Sequence, residues 1–205
     1  MTIARLHIVP RLHVFLEQYP NLALDLFLSD RTGDLIQEGV DIAFRTGVLS
    51  DSSVIARKVA TSSRLVVGTP AFFEQEGVPK TPTDLSRYAA VIYTMERAGG
   101  GETYTFRQGA SDISVTLSGR LRVSAAEGVR AAVLSGLGYA IASEWMFAPE
   151  LASGAVRAVL ADWNLPPLDF WALFPTGRMV TARARAFANF VEAELARPYS
   201  ARERG

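Results

Sequence analysis

Hydroxyl, guanidinium and backbone N–H donors gather in this sequence where the chain is expected to pass from strand to loop or helix. Arg45 and Thr46 follow the apolar run Val40–Phe44 and lead into Gly47. A guanidinium at a strand end suits a carboxylate, because its planar fork donates to both oxygens. Arg45 can instead be tied to a neighbouring acid, Asp41 or Glu127, and hold its loop in shape; of the two residues, Thr46 is the better ligand candidate. Ser29 follows an alternating leucine run and precedes a helical pattern, so its hydroxyl reads equally as an N-cap or as a donor to a ligand. Asp30 and Arg31 beside it read as cap and surface ion pair. Ser124-Ala125-Ala126-Glu127 opens another helix, whose free N–H groups attract anions without a charged side chain; the alternative is an ordinary cap. Thr69, in Gly68-Thr69-Pro70, opens a third helix, and its two readings are the same.

On their functional readings these residues hold a small anion rather than break a bond, and on the others they cap helices and shape loops. The sequence has no Cys, which excludes thiol catalysis, disulfides and thiolate metal sites. Its two imidazoles, His7 and His13, stand about 240° apart around a helix axis, so they cannot share a metal and read as solvated surface residues. No Ser has a base nearby in the pattern, and no G-x-S-x-G, phosphate-loop or dinucleotide fingerprint occurs. An enzymatic reading would have to recruit Asp41, Glu127 and Arg45 as a titratable group. The expectation is no enzyme, no metal and no cofactor.

The elements that must position these residues alternate between helical and strand periods, which predicts an α/β architecture. Ile8, Leu12, Phe15 and Tyr19 give a helix over Leu6–Tyr19, with Val9 and Leu16 widening its apolar arc. Leu22, Leu24, Leu26 and Leu28 alternate as in a strand, and Asp30–Gly39 reads as a short helix. Further strands are expected over Val40–Phe44, Val54–Val59, Arg64–Pro70, Ala89–Thr94 and Tyr104–Phe106. Ile113–Leu117 and Leu121–Val123 read as a hairpin-like pair. Ala126–Leu134 and Glu144–Leu151 are helical, with the buried strand Tyr139–Ala142 between them. After Pro166-Pro167 come the strand Leu168–Phe174 and a last helix with Val180, Ala184, Phe187, Val191 and Leu195 on its inner face. Trp145, Trp163 and Trp171 lie in separate elements and read as core or contact residues.

At 205 residues the chain has room for two lobes and a sizeable core. Its 21 basic and 21 acidic residues cancel, so no overall field draws it to nucleic acid or membrane. No secretion signal and no membrane-spanning run is visible, which makes a cytoplasmic location the default.

Several blocks in colinear order carry a family resemblance. Phe15-Leu16-Glu17-Gln18-Tyr19-Pro20, Leu24–Phe27 and Ser29-Asp30-Arg31 resemble the "FL-x-x-YP … SDR" opening of the LysR-type effector-binding domain. Asp34–Gly47 resembles its "DL-x-x-EG-x-D-x-A-x-R-x-G" block, continued by Asp51-Ser52-Ser53 and Ala56-Arg57-Lys58. Gly136-Leu137-Gly138-Tyr139-Ala140 resembles "GLGIA", and Phe187–Val191 the closing helix. Of the family's "N-x-GE", only Glu127 is kept.

The resemblance implies two Rossmann-like lobes of the type 2 periplasmic-binding-protein kind. Lobe I would be residues 1–62 plus 169–205, and lobe II residues 63–168. A small, anionic effector would sit in a cleft between them, near Ser29, Arg45, Thr46, Thr69, Ser124, Ala125 and Glu127. The output would pass through dimer or tetramer geometry to DNA, which this chain would not touch itself. The alternative is a solute-binding protein of the same fold that serves transport. In the family the first helix meets the second-lobe helix of a partner, so Val9 or Leu16 is expected to face the partner's Val129 or Val133 in a homodimer. The family also carries a winged helix-turn-helix and an apolar strand ahead of Leu6. For want of that strand the first lobe is expected to show a gap, a strand supplied by another copy, or weakened order.

Overall fold

Pro10 sets the course of the first helical stretch. It has no N–H for an α-helical ladder, and its ring crowds the carbonyl four residues back. The single helix expected over Leu6–Tyr19 is therefore broken. A π turn covers Ala4–Ile8, where Val9 N–H reaches back to the Ala4 carbonyl, and a 3-10 turn covers Val9–Arg11. Regular helix begins with α1, Leu12–Gln18, and ends where Tyr19 N–H donates to the Phe15 carbonyl just before Pro20.

The computed structural model describes residues 2–30, 39–47, 54–94, 101–175 and 179–197. Its strands are β1 (Ala43–Thr46), β2 (Val54–Ser62), β3 (Arg64–Gly68), β4 (Val91–Tyr93), β5 (Glu102–Gln108), β6 (Ser111–Leu117), β7 (Leu121–Val123), β8 (Ala140–Ser143), β9 (Arg157–Val159) and β10 (Leu168–Pro175). After α1 the helices are α2 (Pro70–Glu76), α3 (Ala126–Leu134), α4 (Glu144–Ser153) and α5 (Ala182–Ala196). The chain divides into two compact units, one made of Ile3–Ser62 with Leu168–Gly205 and the other of Met1–Thr2 with Ser63–Pro167.

In the first unit β10 lies between β1 and β2, antiparallel to both. The core beside this sheet is aromatic. Phe15 is fully buried, with ring centroids 5.2 Å from both Phe187 and Phe190, and Phe44 stacks on Phe170 at 5.5 Å. Such offset and tilted contacts suit the ring quadrupoles. Along α5, Ala184, Phe187, Ala188, Val191 and Leu195 turn inward, while Val180 lies ahead of the helix. Beside them the buried carboxylate of Glu194 pairs with Arg11 at 3.4 Å.

The alternating leucines do not form the expected strand. Residues 22–28 enter no ladder among the described residues, and Leu26, Phe27 and Leu28 are exposed, Phe27 at 80%. Alternation gives a segment two faces, but a strand also needs an extended neighbour to bond with. The strand expected at Val40 begins three residues later, at Ala43. The short helix expected over Asp30–Gly39 falls mostly on residues outside the described set, as do Arg31 and the Asp51-Ser52-Ser53 block.

In the second unit β3 is flanked by β8 and β9, both antiparallel to it, while β4 and β7 pair in parallel. The expected pairing of Ile113–Leu117 with Leu121–Val123 is corrected: β6 folds back on β5, and β7 goes to β4. Gly109, at φ +57, provides the left-handed residue for the tight turn between Gln108 and Ser111. Gly119 explains the other connection, since a Cβ there would stand 2.3 Å from the Ala90 carbonyl oxygen. Two apolar clusters fill this unit, one around Phe73, Leu85, Phe106 and Tyr139 and one around Val67, Val129, Val133 and Phe147. Strand β9 has no counterpart among the expected elements; three residues are too few to show a period.

Candidate functional site

Each unit carries a strand end with polar groups, and each is built locally. In the first unit β1 runs Ala43-Phe44-Arg45-Thr46, with Thr46 opposite Phe170 and Arg45 opposite Trp171 on β10. Thr46 is exposed and Arg45 half-buried. Arg45 Nη1 donates to the Phe44 carbonyl at 3.1 Å. Its expected partner Asp41 is instead paired with Arg183 of α5 at 3.1 Å, while Glu127 belongs to the other unit. Gly47 closes the strand at φ +91, a conformation that favours glycine. Its N–H donates to the Asp169 carbonyl and its own carbonyl accepts from the Trp171 indole, each at 2.9 Å. Ser29 is exposed at the end of the leucine segment; the helix it was expected to cap lies outside the described residues.

In the second unit the parallel strands β4 and β7 end side by side. Thr94 N–H donates to the Val123 carbonyl at 2.9 Å, and Arg122 Nη2 donates to Thr94 Oγ1 at 3.1 Å. Ser124 follows, exposed, and α3 begins. Its N-cap is Ala125, in extended conformation. An alanine brings no side-chain oxygen to the first turn, where Ser or Asp would accept from a backbone N–H. Glu127 sits half-buried in this first turn. Sequence reasoning missed Thr94, because Ala89–Thr94 shows only a strand pattern; its place beside Val123 follows from the β4–β7 pairing.

Thr69 is the N-cap of α2, its Oγ1 accepting the Phe72 N–H at 3.2 Å. His7 is corrected from surface to interior, since the π turn rotates it inward to 1% exposure. His13 is exposed, with Nδ1–H on the Pro10 carbonyl at 3.2 Å.

The proposed contact face needs a correction as well. Val9 and Leu16 are exposed, but Val129 and Val133 are buried at 2% and 0% in the core of their own unit. The valines therefore anchor α3 from beneath. Ala131 is exposed on the opposite face, with half-buried Glu127 one turn before it and the exposed C-cap residue Ser135 one turn after it. On the inner side Arg130 is held by the Met146 carbonyl at 3.2 Å and by the Glu150 carboxylate, which clamps α3 to α4.

The family model of the LysR substrate-binding domain matches residues 1–196. An HTH-type transcriptional regulator of Xanthomonas campestris pv. campestris is 32% identical over 190 residues, 92% of this chain and 55% of that protein. The HTH-type transcriptional regulator DmlR of Escherichia coli is 31% identical over 192 residues, 94% of this chain and 62% of that protein. The chain thus spans between half and two thirds of the length of these relatives. Among solved structures, the regulatory domain of CrgA, a LysR-type transcriptional regulator from Neisseria meningitidis, superposes with a TM-score of 0.81 at 26% identity, covering 96% of this chain and 95% of that one. With the family model matching nearly the whole chain, this protein belongs to the LysR substrate-binding-domain family and has its α/β fold, of the type 2 periplasmic-binding-protein kind.

Proposed function

We propose that this chain is the effector-sensing portion of a LysR-type transcription regulator, binding a small anionic metabolite and relaying it to oligomer geometry and thence to DNA contacts made by residues outside this sequence. The observation that carries the reading is the match of residues 1–196 to the family, with relatives that are HTH-type transcriptional regulators by name. Those names favour sensing over solute delivery to a transporter. Thr46 with Arg45 in the first unit, and Ser124-Ala125-Glu127 with Thr94 in the second, are the contacts proposed. The positive end of the α3 dipole and the Arg45 guanidinium both favour negative charge. Ser29 and Thr69 are further contacts proposed: Thr69 Oγ1 accepts the Phe72 N–H, and its own O–H is still a donor for an anion. The output is a homodimer in which Val9 and Leu16 meet a partner's α3. An effector acts only through its preference for one arrangement over another, with a typical coupling of about 1–3 kcal/mol.

A thermal-shift screen of aromatic and aliphatic carboxylates tests the reading. A ligand at about a hundred times its Kd stabilises the folded state by about 2.7 kcal/mol, a shift such a screen resolves. A panel in which no carboxylate raises the melting temperature overturns the anionic effector.

A further inference from the structure

Gly47 is held from two sides by residues that the effector reading does not use. Its N–H donates to the Asp169 carbonyl at 2.9 Å, and its carbonyl accepts from Trp171 Nε1 at 2.9 Å. The Asp169 carboxylate in turn accepts from Thr61 Oγ1 at 2.8 Å and lies 3.6 Å from Lys58 Nζ. Thr61 and Asp169 stand opposite one another in the β2–β10 register. Their position in the chain matters: β2 ends at Ser62, where the chain leaves for the second unit, and β10 begins at Leu168, where it returns. One hydrogen-bonded group thus joins the turn after Thr46 to the feet of both connecting strands.

The register of β10 against β2 slips between Phe170 and Trp171. A bulge of this kind re-aims side chains that regular pairing would leave pointing elsewhere. The indole N–H is a donor only, and the Gly47 carbonyl it satisfies belongs to a residue whose positive φ suits few other side chains.

We propose that Trp171 and Asp169 are positioning residues of the effector site, holding the Thr46–Gly47 turn in one conformation and passing its displacement to the two connecting strands. The inference rests on the reading of Thr46 as an effector contact. An effector that draws on Thr46 pulls on Gly47, and Gly47 is bonded to the residue that braces β2 against β10. Loss of the indole donor leaves Gly47 with one restraint fewer, and Phe at position 171 removes that donor while keeping an apolar aromatic ring there.

The test uses the 15N-labelled 205-residue chain and its Trp171→Phe variant, followed by amide hydrogen exchange and by the indole N–H signals. Trp171→Phe is expected to speed exchange at Gly47 by about tenfold and to leave Ala172, the buried next residue of β10, unchanged. Equal acceleration at both, or none at Gly47, overturns the latch, since a packing role alone would loosen the strand as a whole. The second arm titrates sodium benzoate and sodium succinate. Binding is expected to move the Trp171 indole signal of the wild type and, followed at the backbone amides, to weaken about tenfold in Trp171→Phe. Binding that leaves that indole unmoved overturns the positioning role while the effector reading stands. Failure of both carboxylates to bind the wild type counts against the anionic effector alone, because the exchange result decides the latch by itself.

Discussion

Cutting one partner from the Arg130–Glu150 pair should cost far more than removing both. The two side chains join α3 to α4 and are each only 14% exposed. Arg130 Nε also donates to the Met146 carbonyl, while Glu150 Oε2 is buried with no hydrogen bond among the described residues. Glu150→Ala leaves a largely desolvated guanidinium with a backbone carbonyl as its neighbour. Orphaning one charge of a buried pair costs roughly 3–5 kcal/mol, and the residual solvent access places this case near the lower end, about 3 kcal/mol. At roughly 2–4 °C per kcal/mol for a chain of this size, the melting temperature falls by roughly 6–12 °C. The double variant Arg130→Met, Glu150→Leu removes both charges and keeps the volume, so it should stay within about 1 kcal/mol of wild type, since such replacements are often neutral or stabilising. Urea unfolding of wild type, both single variants and the double variant closes the cycle. A Glu150→Ala loss below about 1 kcal/mol, or a double variant as unstable as the two single losses summed, would refute the reasoning. The helix at stake is the one whose first turn is proposed to meet the effector.

Three further outcomes follow from the same physical reading. Leu16 is exposed on α1, so Leu16→Glu should leave the fold intact and shift sedimentation from dimer toward monomer; a wild-type monomer, or a variant that dimerises equally well, defeats the assignment of this face. Burial pushes the Tyr139 phenol above its ordinary value of 10.0, and its hydroxyl donates to the Leu85 carbonyl at 3.0 Å. The folded state therefore keeps a proton that the unfolded state releases, so stability should fall as pH climbs past about 10; an unfolding free energy flat across that range, or a Tyr139→Phe variant with the same slope, contradicts this. Gly138 is at φ +156 and a Cβ there would stand 2.3 Å from the Ala89 carbonyl oxygen, so Gly138→Ala should unfold at markedly lower urea, and an unchanged midpoint would refute the close approach.

Where one period runs long enough, the sequence carries the element. The strand Leu168–Phe174 and the inner face of α5 are where their apolar spacing puts them, because each is long and has a core to face. The leucines 22–28 show the limit of that signal: alternation specifies two faces but says nothing of a neighbour to bond with. Pro10 is plain in the sequence, yet the periodicity of Ile8, Leu12 and Phe15 on either side of it argues for an unbroken helix. The β4–β7 pairing is hidden for a different reason, since Leu121–Val123 suits a hairpin as well as a parallel ladder, and the choice turns on the room beside Ala90 that only Gly119 leaves. At the candidate site, Thr46 and the start of α3 are legible because residue types change at their boundaries. Thr94 and Trp171 are not, since what each touches depends on register between strands distant in sequence.

The most direct test of the effector-sensing claim is a crystal structure of the chain grown with the carboxylate that gives the largest thermal shift. Carboxylate oxygens are expected within hydrogen-bond distance of Thr46 Oγ1 or the Arg45 guanidinium, or of the first-turn N–H groups of α3. Ligand seated instead in the hollow of about 500 Å³ lined by Gln18–Ala23 and Arg183, with both strand ends empty, would contradict it.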